Sequence, residues 1–286
     1  MKIFMTGASG YVGNRCLQAF LAAGHQVTAL TRRPQAFSHP HLVWHKGSLE
    51  HPASYEVALS DVDAIVHQAM EYQDGADRGM IDRVAVEAFI RSGKYVAYTG
   101  NLYTSHRSGE ALLEQAIADG HHWWNDHENM LLEAGQAVVI RLGFVYGGSG
   151  GYLWPGFAPD ASGTVLWCGE PNGRWPMVHV DDVARLFLSA IEERATGIFH
   201  AVDDTPVTHE RLLNAICLLQ GGTLTRVSLE AARARLGGFA DHLEKDIVAT
   251  NTAARSLGWQ PGHPDFLASA EEAFTAYRQH REKECA

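Results

Sequence analysis

The chain has 286 residues, 46% of them hydrophobic and 20% charged, and its 33 Asp and Glu exceed its 23 Lys and Arg to give a net charge of −10. That length buries a sizeable core, as one large domain or as a nucleotide domain with a smaller partner, and the acidic balance offers no basic field to a nucleic acid. No apolar run nears the ~20 residues that span a bilayer, the first strand lacks a signal peptide's charged start and cleavage site, and Cys16, Cys168, Cys217 and Cys285 show neither pairing nor metal-ligand spacing, so the expectation is a cytoplasmic protein with no nucleic-acid partner, no membrane partner and no metal.

Lys2-Ile3-Phe4-Met5 is a short apolar strand that breaks at Thr6-Gly7-Ala8-Ser9-Gly10-Tyr11-Val12-Gly13 into a glycine-rich turn and an amphipathic helix. Gly7 lets the chain turn sharply, Gly10 lets the backbone approach a pyrophosphate, and Gly13 lets the helix pack close to the strand. The phosphates would lie on the helix N-terminus, where unpaired N–H groups favour an anion. Strands over residues 3–6, 27–30, 42–45, 64–68, 95–99 and 138–142 alternate with helical stretches, which implies a parallel sheet covered on both faces. From Gly147 the chain turns irregular and rich in Gly, Pro and Trp. A helix over 182–193, a short strand near 198–201 and further helices follow. The expected division is a nucleotide-binding domain over 1–146, to which later segments return, and a smaller cap with C-terminal helices over 147–286.

Thr6 to Gly13, Asp63-Ala64-Ile65-Val66-His67-Gln68-Ala69, Arg141-Leu142-Gly143-Phe144-Val145-Tyr146-Gly147, Val178-His179-Val180-Asp181-Asp182-Val183-Ala184 and Leu257-Gly258-Trp259-Gln260-Pro261 occur in this order over nearly the whole chain. Together they resemble the extended short-chain dehydrogenase/reductases, within them the NAD(P)-dependent epimerase/dehydratase group. The resemblance implies an α/β fold, a Rossmann-type doubly wound parallel sheet with a smaller C-terminal α/β substrate-binding cap. It also implies pairing as a homodimer through helices. Gly7, Ser9, Gly10, Tyr11, Val12, Gly13, Ser48, Leu49, Ala69, Met70, Thr99 and Gly143 then fall at cofactor-binding positions, with Ser48 replacing the usual Asp. Where NAD-specific relatives place a carboxylate for the ribose 2′-hydroxyl stand Thr31, Arg32 and Arg33. Arg32 and Arg33 suit a 2′-phosphate through charge-assisted bidentate bonds, so NADP(H) is expected in preference to NAD(H). The plainer alternative is a solvated turn before Pro34.

The resemblance fails at the family's Tyr-x-x-x-Lys pair, because the sequence has no lysine between Lys94 and Lys245. In one register Gly120 and Trp124 take the two positions, in another Trp123 and His127. Such an atypical member must find its acid and base elsewhere. Thr99 matches the family's hydroxyl that bonds the reacting oxygen. Tyr103, four residues on, is a candidate proton donor if Arg107 supplies a cation; otherwise it lines the substrate pocket. His127 is a third catalytic candidate, against a plain role facing solvent or partnering Asp126. His121, His122 and His127 lack the His-Glu-x-x-His spacing of a zinc site.

Glu71, Tyr72, Tyr103, Trp123, Tyr146, Trp154 and Trp175 are the candidate substrate-binding residues, an aromatic set that suits a hydrophobic, ring-containing or prenyl-like ligand more than a nucleotide sugar. Each tryptophan is equally readable as a core plug. Asp182 is expected as a helix cap or dipole partner. The function implied is an NADP(H)-binding oxidoreductase or isomerase/epimerase-like enzyme acting on a small hydrophobic carbonyl or alcohol without the usual Tyr-Lys pair. The alternative is a catalytically inactive NADP(H) sensor or binding protein.

Overall fold

Ile3 and Met5 face one side of the first strand and Phe4 the other, and all three are fully buried, so this strand lies at the centre of a sheet covered on both faces. The structure, a computed structural model, describes residues 1–71, 75–105, 111–114 and 122–285. Seven strands form the sheet: β1 (Lys2–Thr6), β2 (Gln26–Thr31), β3 (Leu42–Lys46), β4 (Ala64–His67), β5 (Tyr95–Asn101), β6 (Ala137–Leu142) and β7 (Gly197–Ala201). They lie in the order β7-β6-β5-β4-β1-β2-β3, and every pairing is parallel. The winding reverses between β1 and β4, which opens a crevice at the carboxyl ends of those two strands.

Helices α1 (Tyr11–Ala22), α2 (Arg78–Ser92), α3 (Trp123–Glu133) and α4 (Val180–Glu192) cover the sheet. Leu17 and Phe20 of α1 with Val183, Phe187 and Ile191 of α4 pack on Ile3, Met5, Val66 and Ile140. Val86 and Phe89 of α2 with Leu131 of α3 pack on Phe4, Ile65, Val96 and Val139. These interdigitating apolar faces supply most of the driving force that sets the sheet.

A second core gathers Tyr146, Trp154, Phe157, Trp167, Trp175, Leu212, Ile216 and Phe266 in the cap, around α5 (His209–Gln220) and α6 (Phe266–Cys285). The strand expected near 198–201 belongs not to that cap but to the main sheet, as β7 beside β6. With α4 it is a later segment returned to the first domain. The cap of α4 is His179, whose Nδ1 accepts from Asp181 N at 3.2 Å. Asp182, expected as a helix cap or dipole partner, is not the cap but lies in the first turn, where a carboxylate suits the dipole; it is fully buried, accepts from Gly262 N and His263 N at 3.0 Å each and pairs with Arg185. Among the described residues no helix is long and apolar enough to cross a membrane.

Candidate active site

β1 leads into a turn in which Gly7 adopts φ 77°, left-handed backbone that favours glycine. A Cβ on Gly7 would stand 2.6 Å from the Gln68 carbonyl, and one on Gly13 would stand 2.0 Å from the Gly7 oxygen, so neither position accepts a side chain. Helix α1 begins at Gly10 with no side-chain cap and no acidic residue in its first turn, which leaves its leading N–H groups to an anion.

From this loop a cleft of about 340 Å³ runs across the ends of β4 and β5 to the cap. Gly7, Gly10, Tyr11, Val12, Gly13, Ala69, Met70, Thr99 and Gly143 line it, with Tyr103, Trp123, Trp124, Phe144 and Tyr152 forming its aromatic part. His67 and Asp82 reach its floor, and none of its described lining residues is Lys or Arg. Three polar atoms in its wall are buried and bonded by no described residue: Thr99 Oγ1, Tyr103 Oη and Gln68 Oε1. Buried polar atoms in folded proteins are almost always satisfied, so these three are available to a ligand or to water.

Tyr103 is 8% exposed and packs edge-on to Trp175 at 6.0 Å and beside His242 at 4.9 Å. Burial pushes its phenol well above the ordinary value, so it stays protonated. Lys245 reaches the same residue from the cap, its Nζ donating to the Tyr103 carbonyl at 3.0 Å. Burial draws that ammonium's pKa down. Lys94 lies at the opposite end of the sheet, donating to Ser60 O.

The segment that departs from the Tyr-Lys pattern forms a wall. Trp123 and Trp124 stack with centroids 5.2 Å apart and planes at 5°, and Trp124 Nε1 donates to Thr99 O at 2.9 Å. Gly79 on α2 makes room, since a Cβ there would meet the Trp123 ring at 2.9 Å. Behind the wall, Glu128 and Arg141 form a fully buried ion pair (Oε2 to Nε, 2.9 Å), and Glu128 Oε1 accepts from Asn101 N at 3.3 Å. Burial pushes the Glu128 carboxyl up, against the pull of Arg141.

Beneath the cleft runs a buried polar chain. Thr6 Oγ1 meets His67 Nδ1 at 2.6 Å, His67 Nε2 meets Asp82 Oδ1 at 2.9 Å, and Asp82 Oδ2 takes His127 Nδ1 at 2.6 Å and Tyr98 Oη at 2.8 Å. Burial alone would raise the Asp82 carboxyl, yet the bonds from His127 and His67 outweigh it and hold the group well below the usual carboxylate range. His127, expected as a catalytic group or a partner of Asp126, is therefore engaged by Asp82. It is 3% exposed and absent from the cleft lining.

The other candidates divide. Ser9 lies with Asn14 and Arg15 in a polar hollow beside the loop, and Ser48 and Leu49 in the turn after β3, where Ser54 Oγ accepts from Ser48 N and Tyr55 Oη donates to Leu49 O. Arg32 and Arg33 follow β2, with Arg32 Nη1 donating to Glu71 Oε2 at 2.5 Å. Glu71, expected at the substrate, pairs with Arg32 and is not among the described lining residues of the cleft. Tyr146, Trp154 and Trp175 do not line the cleft: Tyr146 packs edge-on to Phe266, Trp154 against Phe274, and Trp175 stacks on Phe144 at 4.8 Å, all in the cap core. Tyr72, His106, Arg107, Gly120 and His121 lie outside the described residues. Sequence reasoning did not single out Asp82 or Asn101. Among the described residues no group of three His, Cys, Asp or Glu is placed to hold a metal ion.

A parallel sheet that reverses beside β1, with a glycine loop on a helix N-terminus at the reversal, defines a Rossmann-type α/β fold. Residues 3–89 match the family described as the NAD dependent epimerase/dehydratase family. A curated relative, a 3-diazoavenalumate denitrifying reductase from a Streptomyces species, is 27% identical over 93% of this chain and 98% of its own. Among solved structures, UDP-glucose 4-epimerase of Thermus thermophilus in complex with NAD has a TM-score of 0.77 at 17% identity, covering 97% of this chain and 99% of that one. The human epimerase family protein SDR39U1 with NADPH has a TM-score of 0.73 at 16% identity, covering 96% and 99%.

Proposed function

We propose that the chain is an NADP(H)-dependent reductase of small, neutral, hydrophobic carbonyl compounds that works without a Tyr-Lys pair. The observation that carries this reading is the pair of unpartnered hydroxyls, Thr99 Oγ1 and Tyr103 Oη, in the wall of one aromatic cleft that starts at the glycine loop. The glycine cradle and the free N–H groups of α1 fit a pyrophosphate, and Arg32 and Arg33 offer charge to a 2′-phosphate. When bound, the cofactor supplies the hydride. Thr99 and Tyr103 then donate to the carbonyl oxygen and stabilise its developing charge, and the alkoxide takes its proton from water on release. Trp123, Trp124 and Phe144 exclude water and hold a ring-containing substrate. The absence of Lys and Arg from the described lining argues against a nucleotide diphosphate.

Following NADPH consumption against aromatic and prenylated ketones and, in parallel, nucleotide sugars tests the reading. Turnover of the former that falls in Thr99→Val and Tyr103→Phe supports it; turnover of nucleotide sugars alone overturns it. A second reading, an inactive NADP(H) sensor, draws on the missing lysine and on a Tyr103 phenol that, among the described residues, no cation draws down. NADPH binding without turnover of any carbonyl would favour it.

A further inference from the structure

Arg32 stands one residue past β2 and Glu71 four residues past β4, and these two strands flank β1 in the sheet. Their ion pair, Nη1 to Oε2 at 2.5 Å, therefore spans the crevice over the glycine loop, where the adenosine ribose of a dinucleotide must lie. The two partners are unequal: the Arg32 side chain is 59% exposed, the Glu71 side chain 10%. The carboxylate is largely buried and the guanidinium is the solvent-exposed member.

We propose that Glu71 is a specificity-determining residue for the cofactor, opposing the preference for a 2′-phosphate that Arg32 and Arg33 create. This rests on the dinucleotide site assigned above. A ribose 2′-hydroxyl can lie beside the pair without breaking it, donating to the carboxylate and accepting from a further guanidinium N–H. A 2′-phosphate carries ≈ −1.5 to −2 charge near neutrality. It must draw Arg32 away from Glu71 and then sit beside a carboxylate that has little water to screen it. Glu71 thus supplies from β4 the acidic partner that Thr31 does not supply at the end of β2. The chain combines in one ion pair an element suited to NADP(H) and an element suited to NAD(H).

Calorimetric titration of the full chain with NADPH and with NADH, for wild type, Glu71→Gln, Glu71→Asp and Arg32→Gln, tests the proposal by binding alone. Glu71→Gln should raise the NADPH-to-NADH affinity ratio on the order of tenfold, the scale of one partly screened like-charge contact. Glu71→Asp, which keeps the charge, should stay near the wild-type ratio, and Arg32→Gln should lower it. The shift for Glu71→Gln should shrink as salt rises. A ratio that Glu71→Gln leaves unchanged or lowers would overturn the proposal. A wild-type chain that favours NADH, with Glu71→Gln moving it toward NADPH, would refute the NADP(H) preference and uphold the role of Glu71.

Discussion

The indole N–H of Trp124 donates to the carbonyl oxygen of Thr99 at 2.9 Å, so the helix that carries the stacked tryptophans is tied to the strand end whose hydroxyl faces the cleft. The indole thereby binds protein backbone in the wall of the cleft.

Trp124→Phe should keep the stack on Trp123 and lose that bond. An unmade buried hydrogen bond costs about 1–3 kcal/mol, so the urea midpoint should fall accordingly. Turnover should fall more than cofactor affinity, because Thr99 moves and the glycine loop does not. Equal losses in both would show that the tryptophan supports the whole crevice and not the Thr99 end of it.

Tyr103→Phe should separate stability from activity. The phenol oxygen has no described partner, so its removal leaves no orphaned group and should leave the melting temperature unchanged or raise it. Loss of one donor to a developing oxyanion typically costs ~10²–10³ in kcat. A variant with wild-type turnover would remove Tyr103 from the reaction and leave Thr99 as the donor.

The parts legible in the sequence are those set by local pattern. Gly7 and Gly13 could be assigned their roles because each acts on backbone a few residues away or on a strand of known position, and β1 to β6 because their apolar runs are short and bounded. The missed parts depend on contacts between distant segments. Asp82 meets His127 across 45 residues, and Arg32 meets Glu71 across 39, with no motif marking either pair. Composition could not tell Trp123, which lines the cleft, from Trp154 and Trp175, which fill the cap core, because an aromatic ring suits both. The run Gly197-Ile198-Phe199-His200-Ala201 is strand-like wherever it pairs. Only the return through α4 brings it to β6.

Glu128 and Arg141 should behave as a buried pair that is costly to break. Both side chains are fully buried, so Arg141→Met should destabilise the chain by about 3–5 kcal/mol through the uncompensated carboxylate. Adding Glu128→Leu to that variant should recover most of the loss, since an apolar pair removes the stranded charge. Chemical denaturation of the single and double variants checks this. A double variant no more stable than Arg141→Met would mean that the bond from Asn101 N to Glu128 matters more than the charge balance.

Asp203 should make the fold less stable as pH rises from 3.8 to about 8. Burial, reinforced by Asp265 and Asp204 and opposed by the backbone bond from Thr205, pushes its carboxyl up to about 8 from an ordinary 3.8. Its Oδ2 has no partner among the described residues. Between those two values the unfolded chain releases the proton and the folded chain keeps it, so the group costs stability increasingly as pH rises from 3.8 and in full above about 8. Each pH unit in that interval contributes up to about 1.4 kcal/mol. Asp203→Asn keeps the shape and carries no charge. It should match wild type near pH 4 and exceed it by a margin that grows to about pH 8 and then levels, read from urea midpoints across that range. A margin that stays constant with pH would show that Asp203 is ionised in the folded chain, with water satisfying its Oδ2.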